Sequence, residues 1–142
     1  MSRLKALVAM AGLLAIAATG EAQAQGDPAK GEKEFNKCKA CHMIANGDNV
    51  IVKGGKTGPN LFGIIGRVAG TFEGFKYGES IVAAGEKGLV WDAAQIQEYV
   101  KDPKAFLANY LGESAVKTKM TFKLARGGED VAAFLASVAS TN

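Results

Sequence analysis

Eleven of the 18 glycines in this 142-residue chain fall between Met43 and Gly88, at positions 47, 54, 55, 58, 63, 66, 70, 74, 78, 85 and 88. Glycine at that density sets turns and close backbone approaches, and it leaves no room for a long helix or a regular sheet. A loop region of this length is unusual in a compact domain unless it serves a function. The flanks read differently. Asp27-Pro28 supplies a side-chain acceptor at an N-cap and a proline at the first helical position, so a helix is expected from there to about Lys39. Asp92 with Gln95 resembles a capping box and opens a helix near Ala93, with Ile96, Tyr99 and Val100 as its apolar stripe. Asp102-Pro103 ends that helix and starts a short one burying Phe106, Leu107 and Tyr110. Residues 112–127 read as loop. Glu129 and Asp130 suit the first turn of a last helix, in which Val131, Phe134, Leu135 and Val138 recur at i, i+3, i+4 and i+7. No segment alternates with a period of two, and no internal repeat is visible. The expected architecture is all-α, with short helices flanking long glycine-rich loops.

Composition narrows the function. An apolar fraction of 48% with 22% charged residues is not that of a disordered chain. Two cysteines cannot build a disulfide-dense scaffold or a four-cysteine zinc site, and one histidine excludes chemistry that needs two imidazoles. A net charge of +3 is too weak to imply nucleic acid. Residues 1–24 read as a secretory signal peptide: Arg3 and Lys5, an uncharged apolar run from Ala6 to Ala18, then the small-x-small site Ala22-Gln23-Ala24. That run is too short to span a bilayer. Cleavage would remove Arg3, Lys5 and Glu21, leaving 15 basic against 13 acidic residues and a net charge of +2 on residues 25–142. The mature domain is expected in the periplasm, and not embedded in the membrane.

A few short helices around a long loop bury little, whereas a chain of this size normally hides about two-thirds of its unfolded surface. Something else should fill the middle. Cys38-Lys39-Ala40-Cys41-His42 holds both cysteines and the one histidine. C-x-x-C-H is the attachment pattern of a c-type haem. On one helical turn the two thiols share a face and can each add to a vinyl group on a porphyrin edge, while His42 swings beneath the ring to ligate iron. The competing readings of C-x-x-C are weaker. A redox dithiol needs a βαβ setting, a zinc site needs two more ligands, and a disulfide across two residues is strained.

The sixth position on the iron has few candidates. Met1 and Met10 lie in the leader, Met43 adjoins His42 on the wrong side of the ring, and Met120 is the remaining thioether. Lys117, Lys119 and Lys123 are rival ligands, but their amines are mostly protonated at neutral pH. Met120 is favoured, because His/Met ligation is the recurring electron-transfer arrangement.

Residues 27–142 resemble a class I cytochrome c, of the cytochrome c2 group of purple photosynthetic bacteria. The resemblance rests on motifs in order. Gly31, Phe35, Cys38, Cys41 and His42 match the first helix and haem site, and Lys56-Thr57-Gly58-Pro59-Asn60-Leu61 with Gly63, Gly66 and Arg67 matches the long loop. Phe75, Tyr77 and Trp91, then Tyr99 and Asp102-Pro103, then Thr118-Lys119-Met120 with Phe122, and finally Val131, Phe134 and Leu135 complete it. Extra residues before Trp91 and before Met120 depart from the mitochondrial members.

The resemblance implies the class I cytochrome c fold, with one haem c covalently held by Cys38 and Cys41 and axial ligands His42 and Met120. It implies that the Pro59 carbonyl orients His42, that Arg67, Tyr77, Trp91 and Thr118 surround the haem propionates, and that Tyr99 reaches toward the Met120 sulfur. Gly31 and Phe35 should pack on Val131 and Phe134 where the terminal helices cross. The implied function is a monomeric electron carrier, not an enzyme, moving single electrons from a bc1-type complex to a photosynthetic reaction centre or a cytochrome oxidase. Lys37, Lys39, Lys56, Lys117, Lys119 and Lys123 fall beside the haem-site segments and suit acidic partner surfaces. A small haem peroxidase or gas-binding cytochrome with a displaceable sixth ligand is the alternative.

Overall fold

The computed structural model describes residues 26–140, so the leader expected over residues 1–24 lies outside the described residues. Helix α1 spans Pro28–Glu34 and tightens into a 3-10 turn at Phe35–Lys37. A hairpin follows, β1 (Ile44–Asn46) and β2 (Asn49–Val52), and then helices α2 (Glu79–Glu86), α3 (Ala93–Lys101), α4 (Pro103–Leu111) and α5 (Gly128–Ser140). Residues 112–127 contain no helix or strand, as expected.

Helix boundaries follow the expected chemistry. The Asp27 carboxylate accepts from the Ala29 and Lys30 amides, and Asp92 accepts from the Gln95 amide at 2.7 Å. Asp102 is the last word of one helix and the first of the next: its extended backbone (φ −159°) breaks α3, and its side chain accepts from the Ala105 amide to cap α4. Gly112, at φ +71°, stops α4 in the left-handed conformation that glycine adopts without strain.

Two expectations need correction. The first helix does not reach Lys39; α-helical bonding ends at Glu34, where Phe35 turns fully into the core and i→i+3 bonding takes over. The glycine-rich stretch is also more regular than expected. It carries the antiparallel hairpin, paired Ala45↔Val50 and Asn46↔Asn49, with an irregularity between Ile44 and Ala45. Gly47 at φ +58° makes the tight turn. The same stretch holds α2, whose end is buried where Gly85 packs on the backbone of Ala69, so that a Cβ there would lie 2.0 Å from the Ala69 oxygen.

The terminal helices close the shell. A Cβ on Gly31 would lie 1.9 Å from the Asp130 carbonyl oxygen, so α1 and α5 touch backbone to backbone. Phe35 and Phe134 meet beside that crossing with ring centroids 5.7 Å apart, and the Asp27 amide donates to the Asp130 carboxylate at 2.7 Å. Helix α3 packs on α5 as well, with Gly128 against Val100. Phe35, Ile44, Leu89 and Leu107 are among the fully buried side chains. Among the described residues, no helix is long and apolar enough to cross a membrane.

Candidate cofactor site

The site grows from one turn. After the 3-10 segment, the Cys41 and His42 amides both donate to the Cys38 carbonyl, at 3.1 and 2.9 Å. That single helical turn puts the two thiols on one face and sends the imidazole inward. Gly54 and Gly55 pack against the backbone of this turn, and Gly58 packs against the imidazole. A Cβ on Gly54 would sit 1.9 Å from the His42 carbonyl oxygen, one on Gly55 2.2 Å from that of Ala40, and one on Gly58 2.4 Å from the imidazole Cε1. Three of the loop glycines are therefore dictated by the approach of the loop to this turn.

His42 is held by the next residue of that loop, its Nδ1 lying 2.8 Å from the Pro59 carbonyl oxygen. Burial lowers the pKa of His42, and the bond to Pro59 partly opposes this. With Nδ1–H donating to Pro59, Nε2 keeps its lone pair for a metal. Asn60 ties the same loop to β1, accepting from the Ala45 amide and donating to the Ala45 carbonyl. The Cys38 thiol is pushed up to about 11, first by burial and then by the negative charge of Glu34. Cys41 is exposed.

His42 and both cysteines open onto a cavity of about 430 Å³. Its apolar walls come from every part of the chain: Phe35, Leu61 and Ile64 on one stretch, Phe75 and Ile81 on the next, Ile96 and Val100 from α3, Val131 and Leu135 from α5. Pro59, Tyr77, Trp91, Tyr99, Thr118 and Met120 all line it, as do Lys37, Lys117 and Lys119. Arg67 is not among the lining residues. Its guanidinium lies one layer out, hydrogen-bonded to Tyr77 and donating to the carbonyls of Asn60 and Phe62, with the Phe72 ring 4.8 Å away. Tyr99 and Thr118 are joined side chain to side chain, and burial raises the Tyr99 pKa. The Thr118 hydroxyl in turn accepts from the Met120 amide at 3.2 Å.

The lysines are not a uniform ring. Lys37 is paired with Glu34 at 2.6 Å and Lys123 with Asp102 at 2.7 Å. The Lys119 ammonium donates to the Lys76 carbonyl across the cavity mouth. Glu34 and Asp102 thus offset two of the lysines that flank the site.

The aliphatic walls from Ile64 and Ile81 and the role of Ser80 were not anticipated. Val131 and Leu135 carried a signal in their four-residue spacing, but Ile64 lies in an irregular loop, and Ser80 and Ile81 lie on α2, a helix too short to show a clear period. The Ser80 hydroxyl accepts from the Lys117 amide at 3.0 Å.

Two thiols on one turn, a neutral imidazole behind them, a thioether in the same chamber and aliphatic walls fit a haem attached through thioether bonds. The helix-and-loop shell around that chamber is the fold of a class I c-type cytochrome. Comparison with known proteins agrees. The chain is 62% identical over 114 residues to cytochrome c2 of Rhodobacter capsulatus, covering 80% of this chain and 83% of that one. It is 58% identical over 120 residues to cytochrome c-551 of Roseobacter denitrificans, covering 84% and 86%. The solved structure of Rhodobacter capsulatus cytochrome c2 superposes with a TM-score of 0.78 over 80% of this chain and 98% of that one. Ferric cytochrome c-550 of Paracoccus versutus also gives a TM-score of 0.78, at 58% identity, over 81% and 99%. No protein-family model matches the chain. The chain belongs to the cytochrome c2 and c-550 family of electron-transfer proteins, which carry one covalently bound haem c.

Proposed function

We propose that this chain is a soluble, monomeric, periplasmic carrier of single electrons whose haem is held by Cys38 and Cys41 and ligated by His42 and Met120. The observation that carries this reading is that Met120 and the Pro59-bound imidazole line one apolar cavity. The bound haem supplies Fe(III)/Fe(II) exchange; a thioether ligand and apolar surroundings both favour the ferrous state.

The protein groups act by holding that centre still. Pro59 fixes the His42 ring through Nδ1–H. Trp91 and Tyr99, with centroids 4.9 Å apart, make one rigid wall, and Thr118 anchors both Tyr99 and the Met120 backbone. Tyr77, Trp91 and Thr118, which line the cavity, would donate hydrogen bonds to the propionates of a bound haem, with Arg67 acting from behind Tyr77. His42 and Met120 would together hold the haem iron and leave oxygen and peroxide no open site, so the chain would serve as a carrier and not an enzyme.

Residues 1–24 act as the export signal, and 25–142 form the working domain. The donor is a bc1-type complex and the acceptor a photosynthetic reaction centre or terminal oxidase. Docking on acidic surfaces uses Lys117 and Lys119, which line the cavity, with Lys39 inside the Cys38–His42 turn and Lys56 two residues before Gly58. Lys37 and Lys123 contribute less, being already paired.

The test is Met120→Ala. The ferric wild type should show the red-edge sulfur-to-iron absorption band and its ferrous form should refuse carbon monoxide. The variant should lose the band, bind carbon monoxide and fall in potential. A ferrous wild type that binds carbon monoxide readily would favour the haem-enzyme alternative.

A further inference from the structure

The segment that carries Met120 is a strap. It is pinned at one end by Val116 and at the other by Leu124, both buried, and the Leu124 amide donates to the Val100 carbonyl at 2.7 Å. Between these pins it crosses the cavity mouth. Two attachments to α3 and its C-cap are made by side chains of the strap itself: Thr118 to Tyr99 and Lys123 to Asp102. On the other side the strap is tied twice, once by a side chain, the Lys119 ammonium donating to the Lys76 carbonyl, and once by a bond of another kind. There the strap offers backbone, the Lys117 amide, and the partner is the Ser80 hydroxyl at 3.0 Å. Ser80 is the second residue of α2, a helix whose far end is buried against Ala69. Its neighbours Tyr77, Gly78 and Ile81 line the cavity, but Ser80 does not.

We propose that Ser80 is a positioning residue for the sixth ligand: by accepting the Lys117 amide it ties the strap to α2 and holds Met120 over the cavity. The proposal rests on the Met120 ligation proposed above. A backbone donor cannot be redirected by side-chain rotation, so this bond sets where the chain lies three residues before the thioether. Ser80 touches neither the cavity nor either axial residue, and so acts only through Lys117. Loss of one such bond should free the strap to swing outward, which raises the access of an outside ligand by roughly three- to ten-fold.

The experiment uses the holoprotein in three forms, wild type, Ser80→Ala and Ser80→Thr, with imidazole as the displacing ligand. Ser80→Ala should bind imidazole roughly three- to ten-fold more tightly, shift the midpoint potential, and speed hydrogen exchange at the Lys117 amide. Ser80→Thr keeps the hydroxyl and should restore all three. A purely structural role would lower the melting temperature in both variants without moving imidazole affinity well below melting. If the wild type shows the sulfur-to-iron band and Ser80→Ala leaves imidazole affinity and Lys117 exchange unchanged, the proposal is overturned and the Met120 reading survives. A wild type lacking that band overturns the axial assignment and this proposal with it.

Discussion

Gly58 touches the face of His42 so closely that any side chain must displace the ring: a Cβ there would lie 2.4 Å from Cε1. Gly58→Ala should therefore cost ~1–3 kcal/mol of stability, the usual range for overpacking. It should also tilt the imidazole away from Pro59. Chemical denaturation measures the first effect, and the magnetic resonance shifts of the His42 ring measure the second; an unshifted ring with unchanged stability would show that the loop simply yields. Tyr99 presents the opposite case, a residue whose ring packs and whose hydroxyl binds Thr118. Tyr99→Phe keeps the ring and removes the bond, so it should cost about 1 kcal/mol and shift the potential with the fold intact. An unshifted potential, read by redox titration, would leave Tyr99 with a packing role alone.

At the scale of elements, Asp102 does three jobs: it breaks α3, caps α4 and pairs with Lys123. The Lys123 ammonium and then the Ala105 amide hold its carboxyl below the usual range. A carboxylate with a lowered folded-state pKa stabilises fully above its unfolded value, near 3.9, and that stability fades as pH falls through the folded value. Asp102→Asn keeps a capping oxygen but loses the charge. Melting temperatures should thus favour the wild type above about pH 4 and converge with the variant in stronger acid. A gap that persists at all pH values would mean the ion pair adds nothing. These helix junctions were legible in the residues because a cap acts over three or four positions: Asp27-Pro28, Asp92 and Asp102-Pro103 each stand where their helix starts. The hairpin was missed although Asn46-Gly47-Asp48 is turn chemistry, because the two strands are too short to show alternation. Helix α2 was missed because Gly85 and Gly88 masked its end. The cavity itself was half legible. His42, Pro59 and Met120 could be named from chemistry and resemblance, whereas the Ile64 and Ile81 walls and the Ser80 tether depend on loop paths that no local rule sets.

For the whole molecule, the question is how a nearly neutral domain, residues 25–142, would meet a redox partner. A net charge of +2 gives little long-range attraction, and exposed charges are screened over about 8 Å at physiological salt. On the docking proposed above, steering would come from local charge beside the cavity, which Lys117 and Lys119 line. The second-order rate with a purified acidic redox partner should fall as salt is added, and Lys119→Glu should slow it far more than Lys30→Glu on α1. Lys87 would be a poor control, since its ammonium caps α4 by donating to the Tyr110 and Leu111 carbonyls. A flat salt profile, or equal effects at Lys119 and Lys30, would point to docking without charge.

The crossing of α1 with α5 also says something about timing. Its polar clasp joins Asp27 to Asp130, 103 positions apart, and backbone contacts at Gly26 with Glu129 and at Gly31 with Asp130 join the same two ends. Contacts between such distant positions form late, because a long loop must close first. A ribosome releases the α1 end early and the α5 end last. Throughout that interval the Cys38–His42 turn, which follows α1 directly, stays on a loose tether with its far wall, Val131 and Leu135, still unmade. The chain thereby keeps its centre open until its last helix has arrived where the domain folds, and a cofactor would have that window in which to reach the Cys38–His42 turn.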